Sequence, residues 1–171
     1  VSQALQQLLF QSEWDDVDYL FVDLPPGTGD IQLTLSQKIP VTGAIVVTTP
    51  QDIALIDARK AVDMFGKVNI PIFGVLENMS VHICSHCGHH EPIFGQDGGK
   101  ALAERLGVPL LGQLPLSLPV REAMDSGSAA QMQAAHPAIA QIYSEAAWQT
   151  ALAVAAKGKD FSNRFPQIVV E

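Results

Sequence analysis

Asp23-Leu24-Pro25-Pro26-Gly27-Thr28-Gly29-Asp30 follows directly on Val17-Asp18-Tyr19-Leu20-Phe21-Val22. The second run is short, apolar, and rich in β-branched and aromatic side chains, which predicts a buried strand. That strand would end on the Asp23 carboxylate, after which two prolines and two glycines turn the chain sharply. Open α/β sheets bind ligands beyond the carboxyl ends of their strands, so an acid there is placed for chemistry. It can hold Mg²⁺, directly or through water, while glycine amides beyond it approach a phosphate. Pro25 and Pro26 have no N–H, so Gly27, Thr28 and Gly29 must supply the amides. The plainer reading of the same residues is a strand-to-helix turn that uses Pro and Gly for geometry alone.

Outward from this stretch, strands and helices alternate. A helix over 1–10 (Leu5, Leu8 and Leu9 on one face) leads through Trp14 to Asp16 into the first strand. Asp30 is placed to cap a helix over 31–39. Residues 41–49 predict a second strand, almost continuously apolar as in a parallel sheet covered on both faces. Asp52 is then expected to cap a helix to Gly66 with Ala54, Ala58, Ala61, Val62 and Phe65 on its core face. Asp57 and Lys60 lie off that stripe and read as a solvated, locally paired face. A third strand is expected over 70–76, with Glu77-Asn78-Met79 at its carboxyl end, where Asn78 can serve as a turn cap. A helix over 101–106 precedes a fourth strand over 108–114 and the loop Pro115-Leu116-Ser117-Leu118-Pro119. Another helix begins over 120–125 and ends at Gly127. A long alanine-rich helix over 138–156 should pack on the sheet, and a tail follows from Lys157. Strands followed by helices at this spacing predict an α/β fold, a parallel β-sheet flanked by helices joined in right-handed crossovers. One domain over 1–157 and a tail over 158–171 are expected.

Composition narrows the function classes. The 171 residues suffice for one domain with its own core. A net charge of −8 argues against a nucleic-acid-binding face, which needs clustered Lys and Arg. No apolar run approaches the roughly 20 residues of a membrane span. No secretory n-region and h-region are present, so a cytoplasmic location is expected.

The two cysteines sit in Val81-His82-Ile83-Cys84-Ser85-His86-Cys87-Gly88-His89-His90. In a reducing compartment a C-x-x-C pair points to metal or redox chemistry before a disulfide. Two thiolates are half of a four-ligand site. Three completions stand: a second chain adding its own Cys84 and Cys87, histidines (His82, His86, His89 or His90) closing a zinc site, or a dithiol redox couple. The last normally sits at a helix start, whereas this pair reads as loop.

Taken together, the switch-like stretch, the asparagine-bearing strand end, the proline-bracketed loop and the C-x-x-C resemble the deviant P-loop ATPases that include MinD and the Mrp/ApbC iron–sulfur carriers. The wording DLPPGTGD is most similar to the Mrp/ApbC branch, and the likeness runs to about Ala147. The resemblance implies a MinD-like P-loop NTPase fold, with ATP and Mg as ligands. In it Asp23 would organise the magnesium shell and the Gly27 amide would sense the γ-phosphate. Asn78 would contact the adenine base, flanked by Pro115 and Leu116. Cys84 and Cys87 would bridge a 4Fe–4S cluster between the subunits of a homodimer that delivers it to apo iron–sulfur proteins. Movement of the segment from Asp23 to Asp30 would couple nucleotide to cluster. No G-x-x-x-x-G-K-S/T occurs, so the first strand and phosphate loop are expected upstream and this chain alone is expected not to hydrolyse ATP. The alternative is a MinD- or ParA-like switch ATPase with a structural zinc clip. The tail, with only Lys157, Lys159 and Arg164 as basic residues, lacks the strong moment of a membrane helix.

Overall fold

The structure, a computed structural model, describes residues 7–24 and 41–156. In chain order its elements are β1 (Ala44–Thr48), α1 (Asp52–Lys67), β2 (Ile72–Glu77), β3 (His82–Ile83), β4 (His90–Glu91), α2 (Gly98–Leu106), β5 (Leu110–Gln113), α3 (Leu118–Ser126), α4 (Ala129–Ala135) and α5 (Pro137–Ala156). Strands β1, β2 and β5 form a parallel sheet in that order. Val46 pairs with Val75, Thr48 with Glu77, and Glu77 with Gln113. Each step between neighbours runs through a helix, as parallel pairing requires.

Alternation along the strands sorts the two faces. Val46 and Val75 point toward α1 and α2, where they form one core with Leu55, Ala58, Leu102 and Ala103. Residues of the opposite parity meet α5: an added Cβ on Gly112 would lie 2.8 Å from the Ala146 Cβ and 3.4 Å from Leu76. Val75 and Leu111 are among the fully buried side chains, and burying a side chain of this size contributes roughly 1.5–3 kcal/mol. At the amino end of the strands Met64, Phe65 and Ile70 form a second cluster, with Leu24, Val41 and Ala44 packed against it.

Several expectations are refined and one is overturned. Strands and helices fall where expected from β1 onward, with ends moved by a few residues. Gln51, not Asp52, holds the cap position of α1, and Leu55 and Met64 join its buried side. Asp57 and Lys60 pair at 3.0 Å on the exposed face. Gly127 ends α3 at φ +65°. The short helix α4 and the β3–β4 hairpin add to the elements that the sequence pattern predicts. The strand expected over 17–22 does not form: among the described residues these have no ladder partner, they are exposed, and Tyr19 stacks on Phe21. A buried parallel strand needs a hydrogen-bonded neighbour and a cover on both faces, and among the described residues nothing supplies them. The 7–10 stretch is helical. Residues 1–6, the turn at 25–30 with Gly27 and Asp30, the helix expected over 31–39 and the tail from Lys157 lie outside the described residues.

Candidate metal and nucleotide site

Beyond the carboxyl end of β2 the chain makes a two-stranded antiparallel hairpin, His82 opposite Glu91 and Ile83 opposite His90. Its tip carries both cysteines. The Cys84 amide donates to the His89 carbonyl at 3.0 Å, and the Gly88 amide donates back to the Cys84 carbonyl at 2.9 Å. Gly88 sits at φ +71°, the left-handed region in which a side chain would be strained. The turn is tight enough that backbone N–H groups of Cys87 and His86, in that order of effect, and the Cys87 side chain draw the Cys84 thiol below its ordinary pKa. Burial and the Glu91 carboxylate act weakly in the other direction. Amides aimed at sulfur favour the thiolate, which is the metal-binding form. Cys84 is half-buried, Cys87 exposed, and both are free. Among the described residues no three His, Cys, Asp or Glu side chains converge on a common point. The hairpin therefore presents two soft ligands and leaves the remaining positions open.

The hairpin is stitched to the loop after β5. The Leu114 amide donates to the Glu77 carbonyl at 2.8 Å, and Ser80 donates to the Leu114 carbonyl through both its amide (3.0 Å) and its hydroxyl (3.1 Å). The Leu116 amide then donates to the Val81 carbonyl at 2.8 Å, and the Ile83 amide to the Leu116 carbonyl at 3.2 Å. The ladder thus runs on past the regular ends of β2 and β5 and stops one residue short of Cys84. Pro115 is buried within it and Leu116 half-buried.

Asn78 closes the end of β2. Its amide donates to the Thr48 carbonyl at 2.7 Å, and its Oδ1 accepts from the Met79 amide at 3.0 Å. The turn cap holds Met79 at φ +53° and leaves the Nδ2 group as a donor.

Glu77, which the sequence marks only as a strand-end residue, is wholly buried. Its Oε2 accepts from the Gly99 amide in the first turn of α2, and its Oε1 accepts from Gln113 Nε2 at 2.7 Å. Helix α2 has no side-chain cap of its own, since Asp97 at its start makes none. A carboxylate from the neighbouring strand takes that place and favours the positive end of the helix dipole. The available sequence signal was an acid closing an apolar strand, paired with Gly98-Gly99 opening a helix.

The structure brings Asn78, Pro115, Leu116, Cys84 and Cys87 to one end of the sheet. Asp23 is not among them. Asp23 is exposed, and its neighbour Leu24 packs against the cluster of Met64, Phe65 and Ile70. No helix among the described residues is long and apolar enough to cross a membrane.

The chain is 58% identical over 147 residues to an iron-sulfur cluster carrier protein of Pseudomonas fragi, covering 86% of this chain and 51% of that one. It is 64% identical over 127 residues to an iron-sulfur cluster carrier protein of Escherichia coli K12, covering 74% of this chain and 34% of that one. The chain therefore spans between a third and about half of the length of these relatives. Its fold is similar to a nucleotide-binding protein from Archaeoglobus fulgidus, solved in complex with ADP and with cobalt, at a TM-score of 0.61 and 25% identity over 98% of this chain and 58% of that one. The family described as ParA, the NUBPL iron-transfer P-loop NTPases, matches residues 1–151. The chain belongs to this family of iron-transfer P-loop NTPases.

Proposed function

We propose that this chain is the cargo-holding and base-reading part of an iron–sulfur cluster carrier. The observation that carries the reading is the hairpin tip, where two free thiols share a tight turn whose amides favour the thiolate at Cys84. Two soft ligands without a third from the same described chain fit a cluster shared with a second copy, each copy giving Cys84 and Cys87 to one 4Fe–4S cargo. A half-exposed two-plus-two site can release that cargo to an apo-protein. The likeness to bacterial iron-sulfur cluster carrier proteins supports the same reading.

The nucleotide side rests on Asn78 and the Pro115–Leu116 loop. Asn78 commits its oxygen to Met79 and keeps Nδ2 for an acceptor nitrogen of adenine. The archaeal neighbour's complex with ADP supports a nucleotide at this fold. Asp23 and the Gly27 amide are proposed for the Mg²⁺ shell and the γ-phosphate of ATP. That role needs residues 17–22 to pair as a strand that ends on Asp23, with a neighbour that the described residues do not supply, beside a phosphate loop. Hydrolysis belongs to the whole protein, which we place in the cytoplasm as a homodimer, with 1–157 as its NTPase domain and 158–171 as a tail.

The test is iron, sulfide and zinc content after anaerobic purification and reconstitution, beside a Cys84→Ser/Cys87→Ser control. Iron and sulfide at one 4Fe–4S per two chains, lost in the control, supports the carrier. A second reading, a structural zinc clip in a positioning ATPase, is favoured by the compact hairpin with Gly88 at positive φ. Stoichiometric zinc with no reconstitutable cluster would select it.

A further inference from the structure

We propose that Glu77 is a positioning residue that holds the Asn78 turn, the Leu114–Leu116 loop and the exit of the cysteine segment in one register. The proposal rests on the carrier reading for what those three segments do. Glu77 belongs to β2 and is followed directly by Asn78. Its carbonyl takes the Leu114 amide, and its Oε1 takes Gln113 on β5, so both its ends bind the strand that leads into the base loop. Its Oε2 takes the Gly99 amide, which fixes the start of α2 where the chain returns from the hairpin.

The local sequence serves this contact. An added Cβ on Gly99 would lie 2.8 Å from the Glu77 Cβ, so only glycine lets the helix approach closely enough for its N–H to reach the carboxylate. Gln113 Nε2 also touches Asp97 at 3.4 Å, drawing the residue before α2 toward the same point. A carboxylate with 0% exposure, held by a helix terminus and an amide with no cation beside it among the described residues, is a costly choice if an apolar residue would pack as well. It is explained if three segments of different chain origin must be kept aligned. From this junction the ladder runs without a break through Ser80–Leu114 and Leu116–Val81 to Ile83, beside Cys84.

The experiment uses the full chain with Glu77→Gln, and a second variant that exchanges the pair, Glu77→Gln/Gln113→Glu. In the single variant Gly99 keeps an acceptor, but Gln113 must turn its oxygen to the new donor and give up its contact with Asp97. The exchange, made in an Asp97→Asn background so that the carboxylate at position 113 meets no second one, restores a carboxylate to the contact between positions 77 and 113. Amide hydrogen exchange should quicken about tenfold at Leu116 and Ile83 in the single variant. The Ala44 amide, at the far end of the sheet, should stay near its original rate. The exchanged pair should bring Leu116 and Ile83 back. With Co²⁺ alone as probe, loss of the cobalt–thiolate absorption to a chelator should quicken in E77Q and recover in the double variant.

Unchanged exchange at Leu116 and Ile83, an equal rise at Ala44, or no recovery in the double variant would each overturn the proposal. So would failure of both variants to fold, which would make Glu77 a residue of the whole fold. Raised exchange with unchanged cobalt loss would overturn its reach to the cysteines. A parent chain that reconstitutes no iron and sulfide ends the carrier reading instead, while the exchange rates, which need no metal, still decide Glu77.

Discussion

The Ile83 amide donates to the Leu116 carbonyl at 3.2 Å, which joins the residue before Cys84 to a residue of the proposed base loop. Backbone hydrogen bonds of this kind tolerate shifts of only a few tenths of an ångström before they weaken. A ligand that moves Leu116 must therefore carry Ile83 with it or break the bond. The proposed nucleotide and cargo ends of the site are thus mechanically adjacent within one chain.

Asn78→Asp separates the turn from base reading. The aspartate still accepts from the Met79 amide, so the thermal midpoint should change little. It has no N–H to offer adenine, and losing one hydrogen bond of this kind costs about tenfold in affinity. Calorimetric titration with ADP checks this, and equal affinity in both proteins would remove Asn78 from the base contact.

Cys84 should react as a low-pKa thiol. The Cys87 and His86 amides hold it below its ordinary value, so its thiolate form persists to lower pH and is lost only as pH falls through that depressed value. Alkylation followed by mass spectrometry should show a midpoint for Cys84 below the ordinary thiol range near about 8.5. Because the largest cause is a backbone N–H, Cys87→Ser should keep most of the shift. A midpoint that returns to the ordinary range in that variant would assign the effect to the Cys87 side chain instead.

Core and surface should separate cleanly in stability. Leu111 is 2% exposed in the middle of β5, and Leu111→Ala should cost about 2–5 kcal/mol through lost burial and the cavity left behind. Ile53 on α1 is 73% exposed, and Ile53→Ala should stay within about 0.5 kcal/mol. Urea unfolding midpoints of the two variants provide the comparison.

Gly112 and Ala146 should be coupled. Gly112→Ala puts a methyl 2.8 Å from the Ala146 Cβ and should cost about 1–3 kcal/mol by forcing α5 away from β5. Ala146→Gly alone should cost about 1 kcal/mol as a helix-interior glycine. The double variant should be more stable than the sum of the two losses implies, and strict additivity in a double-mutant cycle would show that α5 is free to shift.

Much of the fold was legible because it is written in local patterns. The apolar run over 44–48, the stripe through Ala58 and Phe65, and Gly127 beyond α3 follow from periodicity and backbone preference. The C-x-x-C pair and the loop Pro115-Leu116 were legible as motifs. The hairpin that carries the cysteines was not, because its strands are two residues each and too short for any alternating pattern. Its stability comes from the Leu116 contacts, which join segments more than thirty residues apart in the chain. The run over 17–22 shows the opposite error: strong strand composition with no neighbour to pair with among the described residues.

The alternation of strand and helix, the parallel sheet, the family and the residue types of the site could all be read from the chain's own order of residues. Each of these depends on short-range spacing or on a recognisable string such as Asp23-Leu24-Pro25-Pro26-Gly27. That Leu116 lies beside Ile83, and that Glu77 caps α2 from a neighbouring strand, came only from the three-dimensional packing. These are long-range hydrogen bonds and packing contacts, set by which strands pair and which faces are covered, and no local pattern encodes them.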